Sequence, residues 1–263
     1  MYSFELKKAD SVANAVALLA QTGGKPLAGG QSLVAAMKLR LAQPGTLVDL
    51  SGISELRGIR KEGDHLVIGA MTRHAEVAAS KDVQATIPAL AALAEGIGDR
   101  QVRNMGTLGG ALGNNDPAAD YPAAVLGLGA TVNTNKRKIA ADDFFKGMYE
   151  TALAADEIIT SVSFPAPKKA AYAKFAQPAS RFALVGVFVA QTAGGVRVAV
   201  TGAASGVFRA KPIEDALAKS FGADAAKAVK MSASGLNNDI HGSAEYRSHL
   251  ISVLASRAVS AAG

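Results

Sequence analysis

The sequence predicts an α+β fold in two parts: an alternating strand and helix region over residues 1–165, and an antiparallel meander with following helices over 166–263. Three observations predict it. Through the first part, short strand-like apolar runs alternate with segments whose apolar residues recur at helical spacing, and a glycine pair stands at a strand-to-helix turn. Pro165-Ala166-Pro167 then breaks the chain. Beyond the prolines, three strand-like runs come one after another and helical periodicity returns only afterwards.

Taken in order, Phe4-Leu6 reads as a strand, Asp10-Ser11 as a cap, and Val12 to Gln21 as a helix closed by Gly23-Gly24. A strand at Lys25-Ala28 runs into the first glycine pair, Gln31 to Leu41 has helical spacing, and Thr46 to Leu50 is the next strand. His65 to Ala70 reads as a strand, Thr72 to Ala79 as a short helix capped by Thr72, and Pro88 to Ile97 as a helix opened by proline. Asp116-Pro117 starts a helix, with Asp116 as its cap, that ends near Gly127 or Gly129. Thr131-Asn135 and Glu157-Phe164 are strands, and the basic run Lys136-Arg137-Lys138 between them reads as a solvated hairpin turn. In the second part the strands are Ala171-Gln177, Leu184-Gln191 and Val196-Thr201, the last two joined at Ala193-Gly194-Gly195. Pro212–Lys219, Ala223–Met231 and Ala244–Ala261 read as helices.

Composition narrows the chemistry. With no cysteine, the chain holds no disulfide, thiolate zinc site or iron–sulfur cluster of its own. Its four histidines, at 65, 74, 241 and 249, form no metal-ligand spacing. The net charge of +6 is dispersed and aromatics make up only 5%, which argues against a nucleic-acid surface. The first residues contain neither a signal-peptide run nor a membrane span, so a cytoplasmic address is expected.

The two glycine pairs carry the functional signal: Leu27-Ala28-Gly29-Gly30-Gln31-Ser32-Leu33 and Met105-Gly106-Thr107-Leu108-Gly109-Gly110. Backbone without Cβ atoms approaches a ligand closely and turns amide N–H groups toward negative oxygens. Neither pair is a Walker loop or a Gly-x-Gly-x-x-Gly fingerprint. Each alone is compatible with a tight turn, whereas two such turns on one ligand imply a diphosphate.

Taken together, Lys25 to Leu33, Ile68-Gly69-Ala70-Met71-Thr72, Val102 to Gly110, Asp116-Pro117-Ala118-Ala119-Asp120 and Gln177 to Val187 closely resemble the FAD-binding medium subunit of molybdenum hydroxylases. That group includes carbon monoxide dehydrogenase, the nicotinate and quinoline oxidoreductases and the flavin domain of xanthine dehydrogenase. The resemblance runs through the whole chain in the family's order. It implies an FAD-binding domain of the PCMH/vanillyl-alcohol-oxidase type over residues 1–165, with subdomains of about 1–54 and 55–165, and a family-specific C-terminal domain over 166–263 built on a three-stranded antiparallel sheet with helices.

Carried over position by position, the resemblance implies that Leu27, Ala28, Gly29, Gly30, Gln31, Ser32 and Leu33 wrap the FAD diphosphate, with the dipole of the following helix assisting. Thr107, Gly109 and Gly110 would form the second wall, and Asp120 would accept from ribityl hydroxyls. Gly98 and Ile159, with Ile97, match positions packed on the flavin or adenine, and the Thr72 turn lies beside the cofactor. Arg103 and Arg181 are candidate countercharges. No catalytic side chain is expected, because the implied role is electron relay.

Two departures stand out. Ala111 comes after the second pair where the family often has asparagine, and Ala176 occupies the place where some relatives carry a lysine near the flavin ring. The implied partners are a large subunit with a molybdenum cofactor and a small subunit with [2Fe–2S] clusters, in a dimer of heterotrimers. Two other classes share part of the pattern: a self-contained FAD/NADPH reductase of the UDP-N-acetylenolpyruvylglucosamine reductase type, and a non-enzymatic binding module.

Overall fold

A computed structural model describes residues 1–262. The chain runs β1 (Glu5–Lys8), α1 (Val12–Thr22), β2 (Lys25–Leu27), α2 (Leu33–Lys38), β3 (Thr46–Asp49), β4 (Ile59–Glu62) and β5 (His65–Gly69). Five short helices come next: α3 (His74–Ala79), α4 (Lys81–Thr86), α5 (Pro88–Glu95), α6 (Arg100–Met105) and α7 (Leu108–Asn114). They lead into α8 (Tyr121–Leu128), β6 (Thr131–Thr134), β7 (Lys138–Ala140), α9 (Ala141–Phe144), β8 (Phe145–Gly147), β9 (Glu150–Thr151) and β10 (Ile159–Pro165). The last segment holds β11 (Lys169–Ala176), β12 (Ala183–Thr192), β13 (Gly195–Thr201), β14 (Phe208–Arg209), α10 (Lys211–Lys219), α11 (Ala223–Ala228) and α12 (Ala244–Ala261).

The first three strands form a parallel sheet in the order β1-β3-β2. The chain crosses outward from β1 to β2 and back from β2 to β3, so two right-handed crossovers place α1 and α2 on opposite faces. Ser11 caps α1 by accepting from the Asn14 amide at 3.2 Å, and Gly23 closes it at φ +62°. Ala15 and Leu19 of α1 pack with Val48 and Leu50 as a small core.

The helix expected over 31–41 is confined to Leu33–Lys38. Arg40 adopts φ +62°, its amide donates to the Met37 carbonyl and that of Leu41 to Ala36. This is a Schellman closure with arginine in the place where glycine is usual, and it overrides the helical spacing of Leu39 and Leu41.

The second sheet is β4-β5-β10-β6-β7, antiparallel throughout, with α3, α5, α7 and α8 packed into its core. Lys136-Arg137-Lys138 does form the β6–β7 turn, but Arg137 is not merely solvated. Its guanidinium grips Glu157 with two hydrogen bonds of 3.0 Å and donates to the Ala152 carbonyl. That guanidinium, together with the Ala154 amide and the Thr134 hydroxyl, holds the Glu157 carboxyl down at about 2 despite burial.

The three antiparallel strands expected after the proline break are present, and the two-residue β14 extends them to four in the order β11-β12-β13-β14. Strand alternation divides β12 between two cores. Phe188 and Ala190 pack toward α5 and α8, while Val185, Val187 and Val189 pack toward α12. A strand covered on both faces reads as a continuous apolar run, as Ala183 to Ala190 does. The C-terminal sheet thereby shares a core with the preceding region, and its β11–β12 connection reaches a cleft between the two.

Candidate functional site

The cleft, of about 750 Å³, runs between the first glycine loop, the second glycine segment, the 151–159 strap and the β11–β12 connection. It is within the size range of small-molecule sites. Of the residues proposed from sequence, Leu27 through Leu33, Gly98, Thr107, Gly109, Gly110, Asp120 and Ile159 all line it.

Thr72 does not line it. Its side chain is buried, accepts from the Gly58 amide and donates to the Gly58 carbonyl, both at 3.1 Å, so the hydroxyl is consumed in tying two turns together. Thr72 is not a helix cap either, since α3 begins at His74 behind Arg73. Asp116 likewise caps no helix. It accepts from the Ala118 amide at 2.9 Å in a tight turn, and α8 begins behind Asp120 instead.

The two glycine pairs are built differently. Between β2 and α2 the chain is irregular, Gly30 sits at φ +71°, and the amides of Gly29, Gly30, Gln31 and Ser32 donate to no acceptor among the described residues. Four unclaimed N–H groups on one short loop form an anion cradle. The helix behind it has only six residues, so its dipole adds little to the cradle.

The second pair is not a turn at all. Gly109 and Gly110 lie in the first turn of α7, where the Gly109 amide donates to the Ala70 carbonyl at 2.8 Å and the Gly110 amide to the Thr107 hydroxyl at 3.1 Å. Their glycine identity answers to packing. A Cβ on Gly109 would lie 2.5 Å from that of Ala70. A Cβ on Gly29 would overlap the Met105 carbonyl, which is how the first loop rests on the second segment.

Asp120 occupies the end of the cleft nearest the C-terminal sheet and is almost fully buried. Tyr172 donates to it at 2.5 Å, and the Lys174 ammonium lies 3.0 Å away. Burial pushes its carboxyl upward, while Lys174 and Tyr172 favour the charged form. Oδ1 faces both donors, whereas Oδ2, reached only by Lys174 at 3.2 Å, keeps a lone pair for a further donor.

Lys174 also donates to the carbonyls of Gly96 at 2.9 Å and Arg181 at 3.0 Å, clasping the β11–β12 connection against the preceding region. A lysine therefore does reach this neighbourhood, two residues ahead of Ala176. Tyr172 and Lys174 do not stand out in the sequence as site residues. Their only signal there is two polar residues at i and i+2 on one face of an otherwise apolar strand.

Arg103 and Arg181 both anchor on the Gly98 carbonyl, at 3.0 and 3.3 Å, and neither pairs with a carboxylate among the described residues. Arg181 lines the cleft; Arg103 stands behind it. Ala111 lines the cleft and offers no side-chain amide.

His74 and Tyr121 meet below Gly106, with ring centroids 5.3 Å apart. The His74 Nδ1 and Tyr121 hydroxyl have no partner among the described residues. Burial, reinforced by the Arg103 charge, lowers His74 to about 4, so its ring is neutral at pH 7.

The arrangement fits a dinucleotide. Unclaimed amides suit a diphosphate, the Asp120 carboxylate suits a polyol, and Leu27, Leu50, Ile97, Leu153, Ile158 and Ile159 suit planar rings.

The comparisons agree with this geometry. Residues 2–167 match the model of the family described as FAD binding domain in molybdopterin dehydrogenase. The chain is 38% identical to the nicotine 6-hydroxylase medium subunit of Paenarthrobacter nicotinovorans, over 91% of this chain and 89% of that one. It is 37% identical to the carbon monoxide dehydrogenase medium chain of Hydrogenophaga pseudoflava, over 98% and 96%. The crystal structure of quinoline 2-oxidoreductase from Pseudomonas putida 86 superposes with a TM-score of 0.89 at 30% identity, covering 99% of this chain and 97% of that one.

Proposed function

The chain belongs to the family of FAD-binding domains of molybdopterin dehydrogenases, and from that premise we propose that it is the electron-relay flavoprotein subunit of a multi-subunit oxidoreductase. In this reading it receives electrons from [2Fe–2S] clusters on a small subunit and passes them to an external acceptor, while a large subunit with a molybdenum cofactor transforms the substrate. The observation that carries the reading is the cradle of four unclaimed amides at Gly29–Ser32, opening on a cleft that ends at Asp120.

FAD suits a relay because a flavin takes up electrons singly and releases them in pairs. The residues of this chain place it. Gly29 to Ser32 hold the diphosphate, Asp120 accepts from the ribityl chain, and Lys174 with Tyr172 keeps that carboxylate aimed. Gly98, Ile97 and Ile159 wall the rings, and Arg181 supplies positive charge at the cleft. Thr107, Gly109 and Gly110 form the second wall of the cleft and, by seating α7 beneath the first loop, also hold that loop in place.

The same reading divides the chain into an FAD-binding domain over 1–165 and a C-terminal domain over 166–263, and places two such heterotrimers in one dimeric particle in the cytoplasm. Among the described residues no helix is long and apolar enough to cross a membrane.

The test is a visible absorption spectrum of the purified chain after loading with FAD and removing the excess, then addition of dithionite and, separately, NADPH. Bleaching by dithionite but not by NADPH is the expected result. Rapid bleaching by NADPH would instead mark a self-contained reductase. No flavin, even in chain co-expressed with its gene neighbours, would mark a binding module.

A further inference from the structure

The N-terminal parallel sheet leaves one of its faces partly bare. Leu6 is aligned with Leu47 and Lys7 with Val48 across the β1–β3 ladder. Neighbouring residues in register point to the same face, and Val48 packs on α1, so Leu6 belongs to the opposite face. That is the face to which the second crossover brings α2, and α2 stops after six residues.

Immediately after α2, the closure at Arg40 leaves Leu39 71% and Leu41 79% exposed. The Arg40 guanidinium stacks over the Tyr2 ring at 5.5 Å, joining this turn to the N-terminal strand, where Leu6 is 60% exposed and Phe4 is also uncovered. Tyr2, Phe4 and Leu6 alternate along one side of the N-terminal strand, and Leu39 and Leu41 flank the arginine that touches it, whereas lone exposed leucines are commonplace.

The charges there are mainly basic, and the one acidic residue on this face of the ladder, Asp49, lies beside Lys8. Lys8, Lys38 and Arg40 border the patch, and the only carboxylate in residues 1–8 and 33–46 is Glu5, which faces away with Lys7 at 3.5 Å. A left-handed arginine is a local cost that glycine would remove. Here it keeps a guanidinium on the apolar patch.

We infer that this surface, formed by Tyr2, Phe4, Leu6, Leu39 and Leu41 with Arg40 at its centre, docks a protein subunit of the same oxidoreductase whose facing surface is apolar and rimmed by carboxylates. The inference rests on the function proposed above. Relatives named as medium subunits and medium chains favour a protein occupant. An anionic membrane would share the charge preference, but the patch is a strand and a rigid turn, not the amphipathic helix that lies in a lipid interface.

The test uses the full chain co-expressed with the chains encoded beside its gene, read by size-exclusion chromatography with light scattering and by titration of the purified partners. Leu39→Ser/Leu41→Ser alters only exposed side chains and should keep its melting temperature and FAD content while assembly weakens by about a hundredfold or more, the scale of two buried leucines. Arg40→Gly should melt no lower than the parent yet bind about tenfold more weakly, with a shallower salt dependence.

Assembly of both variants with the parent's affinity would overturn the docking surface and leave the relay function standing. A parent chain that assembles with none of its neighbours overturns both. Self-association of the parent, abolished by the double variant, would assign the surface to a second copy and overturn the inference. So would variant-sensitive pelleting with phosphatidylglycerol vesicles without any subunit binding.

Discussion

The two glycine segments look alike in the sequence and are used in opposite ways. At Gly29–Ser32 the backbone leaves its amides unclaimed, at the cost of a left-handed Gly30. At Gly109–Gly110 the amides are already committed to Ala70 and Thr107; the missing Cβ of Gly109 lets α7 press against Ala70 at the end of β5, and that of Gly110 leaves room for Ala28 of the first loop. Both segments line the cleft, but one keeps its backbone donors free while the other has spent them on the fold. A glycine pair therefore does not by itself report a ligand; the fate of its N–H groups does.

That contrast can be broken first at the second segment. Gly109→Val should lower stability by about 3 kcal/mol or more, because its Cβ meets backbone as well as the Ala70 side chain. A thermal melt should show a drop of roughly 10 °C, with FAD lost only as a consequence. If the variant melts normally yet fails to bind FAD, the second segment acts on the ligand directly and not only through packing.

The second segment should also respond to acid. His74 under Gly106 has its pKa depressed to about 4, so the unfolded chain takes up this proton first. Stability from this group is full above about pH 6.5 and falls as pH drops toward 4, by up to roughly 3 kcal/mol. Denaturant titrations of the parent and His74→Leu across that window should diverge in slope; parallel slopes would mean that the ring is hydrated.

The cradle should behave in the opposite manner. Gly30→Ala, at φ +71°, should cost only about 1 kcal/mol of stability but tenfold or more in FAD affinity, read by flavin retention on dilution. The smallest effect is expected at Tyr121→Phe. Its hydroxyl has no partner among the described residues, so stability should move by less than about 0.5 kcal/mol, and a larger loss would reveal a bridging water.

Much of the fold is legible in the sequence because long periodic segments and proline punctuation are local. Val12–Thr22, the strands from Ala171 to Thr201 and the final helix all stand near the expected positions. The errors share a cause. Leu39 and Leu41 carry helical spacing but flank a residue that adopts a left-handed closure. Thr72 and Asp116 resemble caps but find other backbone partners. The helices α4 and α6 have six residues each, too few to display a period.

In the cleft, the loop residues are legible from motif resemblance, whereas the Tyr172 and Lys174 grip on Asp120 depends on tertiary geometry that no window of sequence contains.

That grip also has a temporal side. The partners of Asp120 lie 52 and 54 residues downstream, and Arg181 and Phe182 come later still. On a ribosome, the glycine loops emerge long before the strand that completes the far end of the cleft. A nascent chain halted before residue 172 would carry Asp120 without its donors, so the far end of the cleft is complete only once the strand that follows the proline break has been made.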